Sequence, residues 1–131
     1  MGTRSDMSVV ELTGESYEKT RASGILLVDW RGPDDGGRGG FAEVYDSLSE
    51  TNPDLTFATI DGEKESTLAG LAHVTTLPTL TVFREGIEVF RTVDPLDPEE
   101  LDAILLAIRD LDMEDVRLRL AIHDADDHRG G

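Results

Sequence analysis

Ile25-Leu-Leu-Val28 is an uninterrupted apolar run between Gly24 and the charged Asp29. A strand with one wet face alternates apolar and polar residues. A continuous run suits a strand buried on both faces, as in a parallel sheet covered by helices on both sides. Parallel neighbours also need long crossover connections, usually helical. The run therefore demands helical segments before and after it, and it restricts the fold more than any other stretch of the chain.

The flanking sequence supplies them. Val9-Val-Glu-Leu12 reads as a short strand, followed by a helix from the candidate N-cap Thr13 to about Ala22, which Gly24 ends. After a glycine-rich stretch, Phe41, Val44, Tyr45 and Leu48 recur at helical spacing until Asn52-Pro53 stops them. Leu55-Thr-Phe-Ala-Thr-Ile60 alternates as the next strand. Residues 66–72 form a short helix, with Leu68 and Leu71 expected to face inward. Residues 79–83 and 87–93 form a hairpin in which Gly86 supplies the positive φ of the turn. Asp97-Pro-Glu-Glu100 combines an N-cap, a proline at the first helical position and a Glu at N3. It opens a helix whose apolar face carries Leu101, Ile104, Leu105, Ile108 and Leu111. Met113 to Ile122 reads as a weaker amphipathic helix. The order is β-α-β-α-β-α-β-β-α. It belongs to the α/β class, with a central mixed sheet flanked by helices on both faces and a hairpin at its antiparallel edge.

The 131 residues suit one domain. We expect it to span 8–122, including a C-terminal helical extension, between a disordered leader at 1–7 and a disordered polar tail at 123–131. The start carries no apolar stretch of the kind a signal peptide needs, so a cytoplasmic location is expected. Twelve basic against 28 acidic residues leave a net charge of −16. Such a chain repels nucleic acid and anionic membrane surfaces, and neither is an expected partner. The charge favours solubility and would steer in a basic protein. There is no cysteine, which excludes structural disulfides, thiolate metal sites and thiol catalysis.

Three segments carry a family resemblance. They are Leu27-Val-Asp-Trp30 with Phe41-Ala-Glu-Val-Tyr45, then Leu55-Thr-Phe-Ala-Thr-Ile-Asp61, then Thr76-Leu-Pro-Thr-Leu-Thr-Val-Phe-Arg-Glu-Gly86. In this order and spacing the chain resembles the thioredoxin family. The resemblance implies the thioredoxin fold, a cis-proline at Pro78, and an active-site loop where the central strand meets a helix. In that family the loop holds a Cys-Gly-Pro-Cys tetrad. Arg31-Gly-Pro-Asp34 copies its middle, at the expense of a gap before Phe41. The ungapped match, which we prefer, puts Asp35-Gly36-Gly37-Arg38 at the tetrad. Asp29 then matches the buried carboxylate that assists proton transfer. Asp35 takes the nucleophile's place, where a carboxylate suits a helix N-terminus as an N-cap. Arg38 takes the resolving cysteine's place and needs a carboxylate partner there. Five glycines between Gly32 and Gly40 weaken the first turn of that helix, at about 0.5–1 kcal/mol for each interior glycine. Trp30 is expected to pack beside the loop with partial exposure. Asp94 stands where the family has a glycine that lets a peptide backbone approach.

Other chemistry is weakly signalled. Gly37-Arg-Gly39-Gly-Phe-Ala42 fits a dinucleotide fingerprint, with Asp61 about 20 residues on. Its first glycine lies too far from the strand end at Asp29, and Asp34 and Asp35 would repel a pyrophosphate. His73, His123 and His128 form no catalytic or metal set, and no cofactor or metal is expected. The sequence thus points to a redox-inactive, thioredoxin-like protein. It would act as a protein-binding, chaperone-like or scaffold module through Trp30, Arg31, Asp34, Thr76, Leu77 and Asp94. A homodimer through the same face is a further expectation. The alternative is a small-molecule or anion binder using the glycine-rich helix start at 36–40.

Overall fold

The computed structural model describes residues 9–22, 24–32, 41–94 and 96–130. Its elements run β1 (Val9–Glu11), α1 (Gly14–Arg21), β2 (Ile25–Arg31), α2 (Phe41–Thr51), β3 (Thr56–Asp61), α3 (Ser66–Leu71), β4 (Thr79–Arg84), β5 (Ile87–Thr92), α4 (Pro98–Arg109) and α5 (Met113–Gly130). The five strands form one sheet in the order β1-β3-β2-β4-β5. β3 pairs in parallel with β1 and β2, while β4 runs antiparallel to β2 and β5. This is the mixed α/β sheet expected from the residue pattern.

The apolar run of β2 lies at the centre of that sheet, and Leu26, Leu27 and Val28 are almost wholly buried. Strand alternation sends its side chains to two cores. Leu26, Val28 and Trp30 join a cluster with Tyr17 of α1 and Leu68 of α3. Leu27 joins a second cluster with Tyr45 of α2 and with Leu101, Leu105 and Ile108 of α4. Helices therefore cover both faces, which is why β2 tolerates no polar alternation until Asp29.

Glycine and capping chemistry set the connections. Glu85 and Gly86 form the β4–β5 turn with φ of 55° and 84°. α4 begins at an Asp97 N-cap: Asp97 Oδ1 accepts from Glu100 N–H at 2.8 Å, and Glu100 Oε1 accepts from Asp97 N–H at 3.0 Å. Asp97→Ala removes one side of this box. It is expected to cost about 0.5–2 kcal/mol, measured as a lower urea midpoint with an unchanged slope.

Two helices depart from the sequence reading. Leu71 of α3, expected to face inward, is 75% exposed. The helix ends there, the chain reverses through His73 at φ 59°, and Val74 takes the core position a second leucine would have filled. α5 continues past Ile122 to Gly130, into the segment expected to lack structure. No proline or glycine interrupts residues 113–129, so nothing in the sequence forces the helix to stop earlier. α5 is held at its start by the buried Met113 and by an ion pair from Arg117 to Glu85 of the hairpin turn, while Leu118, Leu120 and Ile122 are exposed. Among the described residues no helix is long and apolar enough to cross a membrane.

Candidate functional site

The carboxyl ends of β2 and β3, the start of β4 and the end of β5 meet on one rim of the sheet. The chain leaves β2 for β3 on one side, and β3 then crosses to β4 on the other. Ligands of open α/β sheets bind at such a reversal, outside the carboxyl ends of the strands.

Asp29 is 1% exposed near the end of β2 and faces the α2–α4 side of the sheet, as Leu27 does. Arg31, two residues on, shares that face, and its Nε donates to Asp29 Oδ2 at 2.8 Å. The pair joins a buried carboxylate to an arginine whose side chain is 41% exposed. Strand alternation alone would have signalled it. The expected partner Arg38 lies outside the described residues, as do Asp34, Asp35, Gly36 and Gly37. The proposed N-cap, the irregular helix start and the anion-binding alternative at 36–40 therefore lie outside them too.

Trp30 corrects the sequence reading. It is 0% exposed, not partly exposed. Alternation points it into the α1–α3 core, where its ring stands edge-on to Tyr17 at 5.6 Å. Its Nε1–H donates to Thr81 Oγ1 at 3.0 Å, so the one polar atom of the indole is satisfied inside the core. Trp30 thus supports the rim from beneath.

The loop before β4 holds the other expected residues. The Leu77–Pro78 peptide is cis. Thr75 and Thr76 are exposed, and Leu77 and Pro78 are half-buried. The Thr79 hydroxyl donates to the Thr76 carbonyl. Among the described residues, the Thr75, Thr76 and Leu77 N–H groups and the Leu77 carbonyl form no internal hydrogen bond. Across the sheet, the pairing of Thr92 with Leu80 brings Val93 and Asp94 alongside the start of β4. Asp94 is exposed, and its N–H donates to Thr92 Oγ1 at 3.1 Å. The structure therefore gathers Arg31, Thr76, Leu77, Pro78 and Asp94 on one rim, with Asp29 buried beside it.

Sequence reasoning missed two supporting residues. Gly62 follows β3 and donates its N–H to the Arg31 carbonyl at 2.8 Å, tying the two parallel strand ends together. Arg91 of β5 donates to the His73 and Ala72 carbonyls, both at 2.8 Å, and so holds the end of α3 that leads into the loop. Glu88 accepts from the same guanidinium at 2.7 and 2.9 Å, and these bonds raise the Arg91 pKa above its ordinary value. A glycine after a strand end was the available signal for Gly62. Nothing local marks Arg91, because its partners lie 18 and 19 residues away.

The chain is 34% identical over 119 residues to the protein named "Putative thioredoxin 2" of Streptomyces coelicolor, across 87% of this chain and 86% of that protein. The chain belongs to the thioredoxin family. It is also 30% identical to a thioredoxin of Chlamydia pneumoniae, over 72% of this chain and 92% of that one. The fold matches the Malassezia sympodialis thioredoxin at a TM-score of 0.67 and 17% identity, covering 76% of this chain and 91% of that one. It matches a thioredoxin variant of Halobacterium salinarum at 0.65 and 25% identity, over 73% of this chain and 86% of that one. No protein-family model matches the chain. Thioredoxin chemistry runs by attack of a thiolate on a disulfide, and this thioredoxin homologue contains no cysteine. Among the described residues no group of three or more His, Asp or Glu is placed to hold a metal.

Proposed function

We propose that this thioredoxin-family chain is redox-inactive and captures an extended segment of a protein partner on the rim formed by Arg31, residues 75–78 and Asp94. The observation that carries this reading is the loop backbone at Thr75–Leu77, whose three N–H groups and Leu77 carbonyl form no hydrogen bond among the described residues, in a chain without cysteine. An extended peptide laid along the loop would satisfy those groups, in the manner of strand addition. In the family resemblance, the cis-proline loop grips peptides in this way. The carboxylates of Asp61, Glu63 and Asp94 are exposed at the neighbouring strand ends, and with the net charge of −16 they favour a basic segment. The binding is of the chaperone-like or scaffold kind, since no bond is made or broken.

Two measurements test it. Pure protein in an insulin-reduction assay is expected to read at background, and clear turnover overturns redox inactivity. Panning a random dodecapeptide library is expected to enrich Lys- and Arg-containing peptides. Thr76→Arg, which places a bulky cation on the loop, is expected to weaken the best of them at least tenfold, about 1.4 kcal/mol, with the Tm kept. Failure to enrich any peptide, or equal binding by the variant, overturns peptide capture at this rim.

A further inference from the structure

A side chain at Gly62 would displace the end of Leu77. A methyl group there would lie 2.5 Å from Leu77 Cδ2, 2.8 Å from Leu77 Cδ1 and 3.2 Å from the Arg31 carbonyl oxygen. At Gly32 a methyl group would lie 3.3 Å from Leu77 Cβ. The Leu77 side chain therefore sits in a notch between two glycines at the ends of the central parallel strands. The Gly62-to-Arg31 hydrogen bond fixes the spacing of that notch. Leu77 also packs against the α1–α3 core. It is the one residue of 75–77 that points inward, so its seat sets the height and direction of the backbone on either side of it.

We propose that Gly62 is a positioning residue for the binding rim: by leaving the notch open it seats Leu77, and through Leu77 it sets how the backbone of residues 75–77 is presented. This rests on the reading of that loop as the binding element. The steric argument is specific. An added Cβ at 62 meets the two δ-carbons of Leu77, and valine at 77 has no δ-carbons. Leu77→Val should therefore relieve Gly62→Ala, whereas two unrelated core defects would simply add.

The test compares the full chain with Gly62→Ala, Leu77→Val and the double variant by ¹H–¹⁵N NMR. Gly62→Ala is expected to shift or broaden the amide signals of Gly32, Thr75, Thr76 and Leu77 and to leave those of Leu101 and Leu105 in place. The double variant is expected to return the loop signals to their Leu77→Val positions. A dodecapeptide selected on the wild type should bind Gly62→Ala at least fivefold more weakly and recover in the double variant. Should Gly62→Ala fail to fold, folding of the double variant at a near-wild-type Tm supports the notch, and failure of both overturns it. Unmoved loop signals, shifts spread evenly into α4, no recovery in the double variant, or moved signals with unchanged peptide affinity overturn it as well. The spectra need no partner, so their failure is separate from failure of peptide capture.

Discussion

Trp30→Ala is expected to destabilise the protein by about 3–5 kcal/mol, the usual range for emptying a buried aromatic site. A Tm lower by about 10–20 °C and a urea midpoint lower by about 1–3 M would report it. The indole is wholly buried at the end of the central strand, so its loss opens a cavity between β2, β4 and α1. The edge-on contact with Tyr17 goes with it. Thr81, itself 1% exposed, loses the donor its hydroxyl accepts from. Trp30→Phe separates these contributions. It keeps an aromatic ring, removes the hydrogen bond, and is expected to cost about 1–3 kcal/mol. If Trp30→Ala shifts the urea midpoint no more than a surface substitution, the supporting role of this side chain is wrong.

Arg84→Met carries the second large effect, about 1.5–3 kcal/mol, the range for hydrogen bonds to a charged group. Arg84 Nη1 donates to the carbonyls of Ile108, Arg109 and Leu111, at 2.7, 3.2 and 3.0 Å. These carbonyls lie at and beyond the end of α4, where acceptors run short of intrahelical donors and the helix dipole is negative; the Ile108 carbonyl also accepts a long bond from Leu111 N–H at 3.2 Å. A cation held there by the sheet helps satisfy the helix end and ties α4 to the end of β4. Methionine keeps the aliphatic stem and removes the charge. Hydrogen exchange in the last turn of α4 should rise together with the loss of global stability. Arg84→Lys should recover only part of it, because a single ammonium does not reproduce the guanidinium fork. Full stability in the methionine variant would show that water caps these carbonyls equally well.

Much of the architecture was legible because the governing forces are local. The run from Ile25 to Val28, the Asp97 capping box and the Glu85–Gly86 turn each act within a few residues, and each stands where the sequence puts it. Leu71 was misread because helical spacing does not reveal that α3 ends there and that Val74 takes the core position. Trp30 was misread as partly exposed because proximity to the loop says nothing about depth. Its face is decided by strand alternation and by what α1 packs over it. The candidate site was half legible. Pro78, Leu77 and Asp94 follow from the family resemblance, whereas Asp34, Asp35 and Arg38 lie outside the described residues.

Two properties of the chain follow from its residue order and composition. The order of buried strand and amphipathic helix specifies a thioredoxin-type sheet, because period and apolar run length are written residue by residue. The absence of cysteine removes the thiolate on which the family's exchange chemistry depends. How the rim is held depends on long-range packing. Leu77 fits between Gly32 and Gly62, and Arg91 grips the carbonyls ahead of the loop. Both join residues far apart in the chain. Their distances come from sheet register and helix docking, which no local pattern encodes.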